Sequence, residues 1–142
     1  MKEILKKSVQ HGNIDAALLV VRVSIAVLML LHGLPKLAKL FSDEPIVFVS
    51  IFGLSPSLSL VLAVFSEVLC SILIFIGLGT RFAAVPLIIT MAIAAFYYHA
   101  ADPFSDKEVA ILYLVGYIAI LIAGAGKYSL DNVIARRIGH RT

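Results

Sequence analysis

Seven ionisable side chains interrupt long apolar runs in this chain: Arg22, His32, Lys36, Glu67, Arg81, His99 and Glu108. A charge in hydrocarbon costs about 2.5–3.5 kcal/mol on insertion scales unless it is paired, reaches the interface or serves a function. Imidazoles, ammoniums and carboxylates in such places can bind a polar ligand, relay a proton or tie helices together. Glu67 is the hardest to read as packing alone, because a mid-span carboxylate must be protonated or paired. The others have plainer readings. Arg22 either snorkels to the headgroups or pairs with Glu67. Lys36 and Lys39 read as interface anchors, His99 and Glu108 as residues at helix ends, and His32 as a buried donor to a backbone carbonyl.

The runs that hold these residues are the stronger signal of class. Hydrophobic residues make up 61% of the 142 and charged residues 15%, against roughly 45–50% and about 25% in soluble domains. Backbone polar groups in lipid are satisfied only by helices or closed barrels, and the runs are continuous rather than alternating, so an all-α membrane bundle is expected. The formal charge of +3 comes from basic residues flanking apolar segments, not from a patch interleaved with aromatics, so no nucleic-acid partner is expected. Cys70 stands alone, which leaves no internal disulfide, CxxC pair or thiolate metal site, and it reads as a small buried thiol.

Four spans follow from the hydropathy: about Ala16 to Leu37, Leu58 to Leu78, Arg81 to His99, and Glu108 to Ala125. Each approaches the roughly 17–25 residues that cross about 30 Å of hydrocarbon. The tight turn at Gly77, Gly79 and Thr80 makes the second and third antiparallel neighbours. Residues 41–57, bracketed by Pro45 and Pro56, are too short to cross. They predict a short interfacial or re-entrant helix, with a hydrophobic loop as the alternative. The head, residues 1–15, predicts a retained cytoplasmic segment rather than a cleaved signal. Residues 16–126 form the transmembrane domain and residues 127–142 a basic tail.

Lys2, Lys6, Lys7, Arg81, Lys127, Arg136, Arg137 and Arg141 fall on one side of these spans, which predicts that both termini are cytoplasmic. Lys36, His32, His99 and Glu108 then share the outward end. Glu67 lies about 14 Å below that surface at 1.5 Å per residue. One outward pocket centred on His32, Lys36 and Glu67, with His99, Glu108 and Arg22 around it, is the site expectation. Tyr97, Tyr98 and Tyr113 lie near it or, together with Tyr117, form an aromatic belt. Small-residue stripes at Gly116, Ala119 and Ala123, and at Ser59, Ala63, Ser66 and Cys70, mark seams within the bundle or between protomers of a homo-oligomer.

His32-Gly33-Leu34-Pro35-Lys36-Leu37 resembles the "hG…K" signature of the DoxX family of small four-helix membrane proteins. Glu67, followed by Ile76-Gly77-Leu78-Gly79-Thr80-Arg81-Phe82-Ala83-Ala84, is similar to that family's "E…LGxxTRxAA" stretch. His99 and Gly124-Ala125-Gly126-Lys127-Tyr128-Ser129-Leu130-Asp131 extend the likeness, which covers about Leu18 to Asp131. The resemblance implies an inner-membrane protein associated with redox complexes, since related subunits belong to thiosulfate:quinone oxidoreductase. It favours an oxidoreductase-associated role, with a quinone or a small anion such as thiosulfate as the molecule bound in the outward pocket, without making this chain catalytic alone. No CxxCH or GxGxxG occurs, so redox chemistry would need a quinone, a partner subunit or a group held by His32 and His99. A non-enzymatic scaffold and, with only four spans, a small-metabolite transporter are the competing expectations.

Overall fold

The computed structural model describes residues 11–139; Lys2, Lys6, Lys7 and Arg141 of the orientation argument lie outside the described residues. The described chain is all-helical, with no strand among the described residues. Helix α1 spans His11–Leu40. Helix α2 runs over Pro56–Ile76, α3 over Thr80–Tyr98, α4 over Phe104–Ala123 and α5 over Leu130–Gly139. The first four pack as an antiparallel bundle, with α1 against α2 and α3 against α4 in the most extensive contact.

Three of these helices, α1 to α3, are long and apolar enough to cross a membrane. The fourth span differs from its expected bounds. Helix α4 begins earlier, at Phe104, and Asp106, Lys107 and Glu108 occupy its first turns. Its apolar part, residues 109–123, measures about 22 Å, short of the roughly 30 Å hydrocarbon thickness. Large side chains on the outer faces, among them Val20 (63% exposed), Leu31 (63%), Phe82 (87%) and Ile122 (72%), form the surface that meets lipid. The interior is built from Ala26, Met29, Ile74, Ala84, Leu87, Tyr117 and Ile120.

Local chemistry sets the helix ends. Ser55 accepts a hydrogen bond from the Leu58 N–H at 3.3 Å, and Pro56 occupies the first turn of α2, where its missing N–H and fixed φ cost nothing. Gly77, in the left-handed region at φ 71°, ends α2. Its N–H donates to the Ile74 carbonyl at 3.1 Å and the Leu78 N–H to Leu73 at 2.9 Å, which satisfies the final carbonyls.

Residues 41–55 contain no helix, so the short helix expected between the first two spans is corrected to an irregular segment, its hydrophobic-loop alternative. The β-branched residues Ile46, Val47, Val49 and Ile51 disfavour a short helix, and Pro45 and Pro56 bound it. Phe52 at φ 49° and Gly53 at φ 79° turn the chain back. The Lys39 ammonium donates to the Val47 carbonyl and holds the segment against the end of α1.

Candidate functional site

Glu67 lies inside a π-helical stretch, Phe65–Cys70, that interrupts α2. A wider turn of this kind shifts side chains off the ordinary α register and recurs at functional sites. Here it turns Glu67, 2% exposed, toward α1. The Lys36 ammonium donates to Glu67 Oε1 at 2.5 Å, with the lysine side chain 33% exposed and the carboxylate 3%. The approach depends on Gly33, one turn before Lys36. A β-carbon there would stand 2.8 Å from Val68 Cγ2 and 3.0 Å from Glu67 Cβ. The second carboxylate oxygen, Glu67 Oε2, is buried and has no hydrogen-bond partner among the described residues.

The pair forms part of the wall of a cavity of about 990 Å³ between α2, α3 and the segment 47–54. Along α3 the cavity extends from Pro86 to His99, about 20 Å at 1.5 Å per residue. Leu62, Phe65, Ile89 and Ile93 supply apolar walls, while Val47, Ile51, Phe52 and Leu54 cover it. Its other polar contributors are few. The Thr90 hydroxyl donates to the Pro86 carbonyl one turn back at 2.9 Å, and its Oγ1 lies 2.9 Å from Ser66 Oγ, whose hydroxyl can donate to it. His99 follows a second π turn, Ala94–Tyr98, and its Nδ1 lies 2.7 Å from Asp102 Oδ2. It lines the end of the cavity away from Pro86.

Of the six residues expected to share one pocket, the structure brings Lys36, Glu67 and His99 to this cavity. His32 is exposed on α1 and meets Tyr113 edge-on at 5.7 Å between ring centroids, outside the cavity lining. Glu108 is exposed in the first turns of α4 and does not line the cavity either. Arg22 neither snorkels nor pairs with Glu67. Only 2% exposed, it donates to the Ile74 carbonyl at 3.2 Å and the Tyr128 carbonyl at 2.6 Å, placing its charge at the C-terminal end of α2, where the helix dipole favours a cation.

The same end of the bundle holds a residue whose role spacing did not reveal. Asp131 accepts from the Gly79 N–H at 2.7 Å and the Thr80 N–H at 3.0 Å, capping α3. Its own N–H donates to the Gly77 carbonyl at 2.9 Å. Partial burial pushes the Asp131 carboxyl up, but the donors from Thr80 and Gly79, with Arg22 nearby, outweigh it and hold the group below its ordinary range. Among the described residues no group of three or more His, Cys, Asp or Glu side chains is placed to hold a metal ion.

A bundle of apolar helices with a lipid-facing exterior, enclosing a charged pair beside an apolar cavity, defines a small polytopic membrane protein. The DoxX family model matches residues 17–100 of this chain. A Haemophilus influenzae protein described as an uncharacterized protein is 34% identical over 118 residues, covering 78% of this chain and 85% of its own. A second protein of that organism, described in the same words, is 31% identical over 75 residues, half of each chain. No solved structure matches. The chain belongs to the DoxX family.

Proposed function

We propose that this protein binds a membrane quinone in the cavity beside Lys36 and Glu67, as a subunit of, or accessory to, a redox complex of the bacterial inner membrane. The observation that carries the reading is the Lys36–Glu67 ion pair in the wall of an elongated apolar cavity. The pair sets an ammonium donor and a carboxylate acceptor beside an otherwise apolar space, a pattern that suits a ligand with a polar head and an apolar body. The cavity's volume falls at the upper end of ordinary ligand pockets, and its length suits an aromatic head with an isoprenoid chain. In this reading Lys36 donates to a ring oxygen, the Glu67 carboxylate accepts from the hydroxyl of the reduced form, and His99 with Asp102 supplies a proton-bearing group at the far end. Electrons come from a partner subunit. Both termini are cytoplasmic, and the cavity belongs to the outward half.

The test is equilibrium dialysis of the detergent-purified protein against radiolabelled decylubiquinone. Saturable binding is expected, weakened about tenfold or more by Lys36→Met/Glu67→Leu, the equivalent of losing one hydrogen bond to a charged group. Unsaturable partitioning, equal in both proteins, overturns the proposal.

A scaffold role is the second reading, favoured by the close approach at Gly33, which makes the Lys36–Glu67 pair an interhelical tie. Stoichiometric co-purification of another protein, with no saturable quinone binding, would select it.

A further inference from the structure

The last helix carries surface chemistry that the cavity does not use. In α5, Leu130, Val133, Ile134 and Ile138 recur at three- and four-residue steps and are 43%, 43%, 44% and 62% exposed. They form one apolar stripe on a helix that is otherwise polar. Arg137 continues the stripe one turn beyond Val133, and Arg136 borders it, so their aliphatic stems can lie along apolar surface while the guanidiniums reach outward. This is the composition of a helix that lies in the plane of a membrane surface: strong amphipathicity, low overall hydrophobicity and basic flanks.

Its position agrees. Asp131 is bonded to Gly77, Gly79 and Thr80, so the first turn of α5 is tied to the turn where α2 ends and α3 begins. Two membrane-crossing helices end there, which puts α5 at the level where hydrocarbon gives way to headgroups. The charge at that level is one-sided. Among the described residues, Arg81, Lys127, Arg136 and Arg137 are exposed and outnumber the two carboxylates at this end, Asp15, which accepts from the Lys127 N–H at 3.0 Å, and Asp131, which caps α3. Arg81 donates to the Ile122 carbonyl at 3.2 Å and keeps further N–H groups for another acceptor.

We propose that α5, with Arg81 and Lys127, docks on the anionic phospholipid surface of the leaflet at this end of the bundle. The stripe of Leu130, Val133, Ile134 and Ile138 enters the headgroup–acyl boundary, and the cations pair with lipid phosphates. The proposal is independent of what the cavity binds.

Hydrogen exchange of the intact protein in nanodiscs tests it. Amides of α5 are expected to exchange more slowly in phosphatidylglycerol-containing bilayers than in pure phosphatidylcholine. Arg136→Gln/Arg137→Gln should shift the docked equilibrium by about 30-fold, the equivalent of about 1 kcal/mol per arginine. Ile134→Ser/Ile138→Ser should also expose the helix, without affecting exchange in α1 to α4. Equal exchange in the two bilayers overturns the proposal. So does protection in lipid-free detergent that the arginine variant retains, which would mean that α5 seats on protein instead.

Discussion

Gly33 and Glu67 approach so closely that a β-carbon on the glycine would stand 3.0 Å from the Glu67 backbone carbonyl carbon and 3.0 Å from its Cβ. The absence of that one carbon lets α1 lie against the π-helical turn of α2, and Lys36, one turn on, reaches the carboxylate as a result. Small residues have this use in membranes, where helices associate through close packing rather than by escaping water.

Gly33→Ala should therefore destabilise the protein. The substitution gains about 1 kcal/mol of helix propensity but overpacks a contact with backbone, at about 1–3 kcal/mol. Thermal unfolding in detergent should show a net loss. Val68→Ala, which removes the methyl nearest the new carbon, should restore part of it; a Gly33→Ala protein as stable as the parent would disprove the contact.

Removing one partner of the Lys36–Glu67 pair should cost more than removing both. Lys36→Ala leaves a buried carboxylate unpaired, at about 3–5 kcal/mol, whereas Lys36→Met/Glu67→Leu replaces the pair with apolar volume and should be nearly neutral. Unfolding measured for the two single variants and the double variant decides it, since equal losses in all three would mean that the pair is uncoupled.

Acid should loosen the end of the bundle that Asp131 caps. Its folded pKa is lowered, so its contribution is fully present above the unfolded carboxylate value of about 4 and is lost as pH falls through the folded value. Asp131→Asn should be less stable at neutral pH and should show a flatter acid limb. Parallel pH–stability curves for the two proteins would contradict this.

Arg22→Lys should not rescue Arg22→Met. The guanidinium spans carbonyls on two separate segments, Ile74 and Tyr128, which a point-charge ammonium cannot match. Each lost bond to a charged group is worth about 1.5–3 kcal/mol. Both variants should unfold at lower temperature, and exchange at residues 77–80 and 124–131 should rise. Full rescue by lysine would show that charge alone suffices.

Local pattern carried much of the outcome. Apolar runs named the helices, the Gly77–Thr80 turn made α2 and α3 neighbours, and the motifs from His32 to Asp131 pointed to the family. The i,i+3 spacing of His99 and Asp102 was open to reading too. The irregular segment 41–55 was harder, because a short apolar run bounded by prolines suits a helix or a loop equally until its contacts are known.

What the sequence determined by itself was the membrane class, the all-α fold and which few residues had to be paired or useful. Those follow from transfer energy and helix periodicity, which are local properties. Tertiary structure alone decided who pairs with whom. It sent Lys36 to Glu67, turned His32 toward Tyr113, and drew Arg22 to the end of α2 beside the Asp131 cap. Rotational register across helices sets those pairings, and here a π turn at Glu67 and a missing β-carbon at Gly33 set that register.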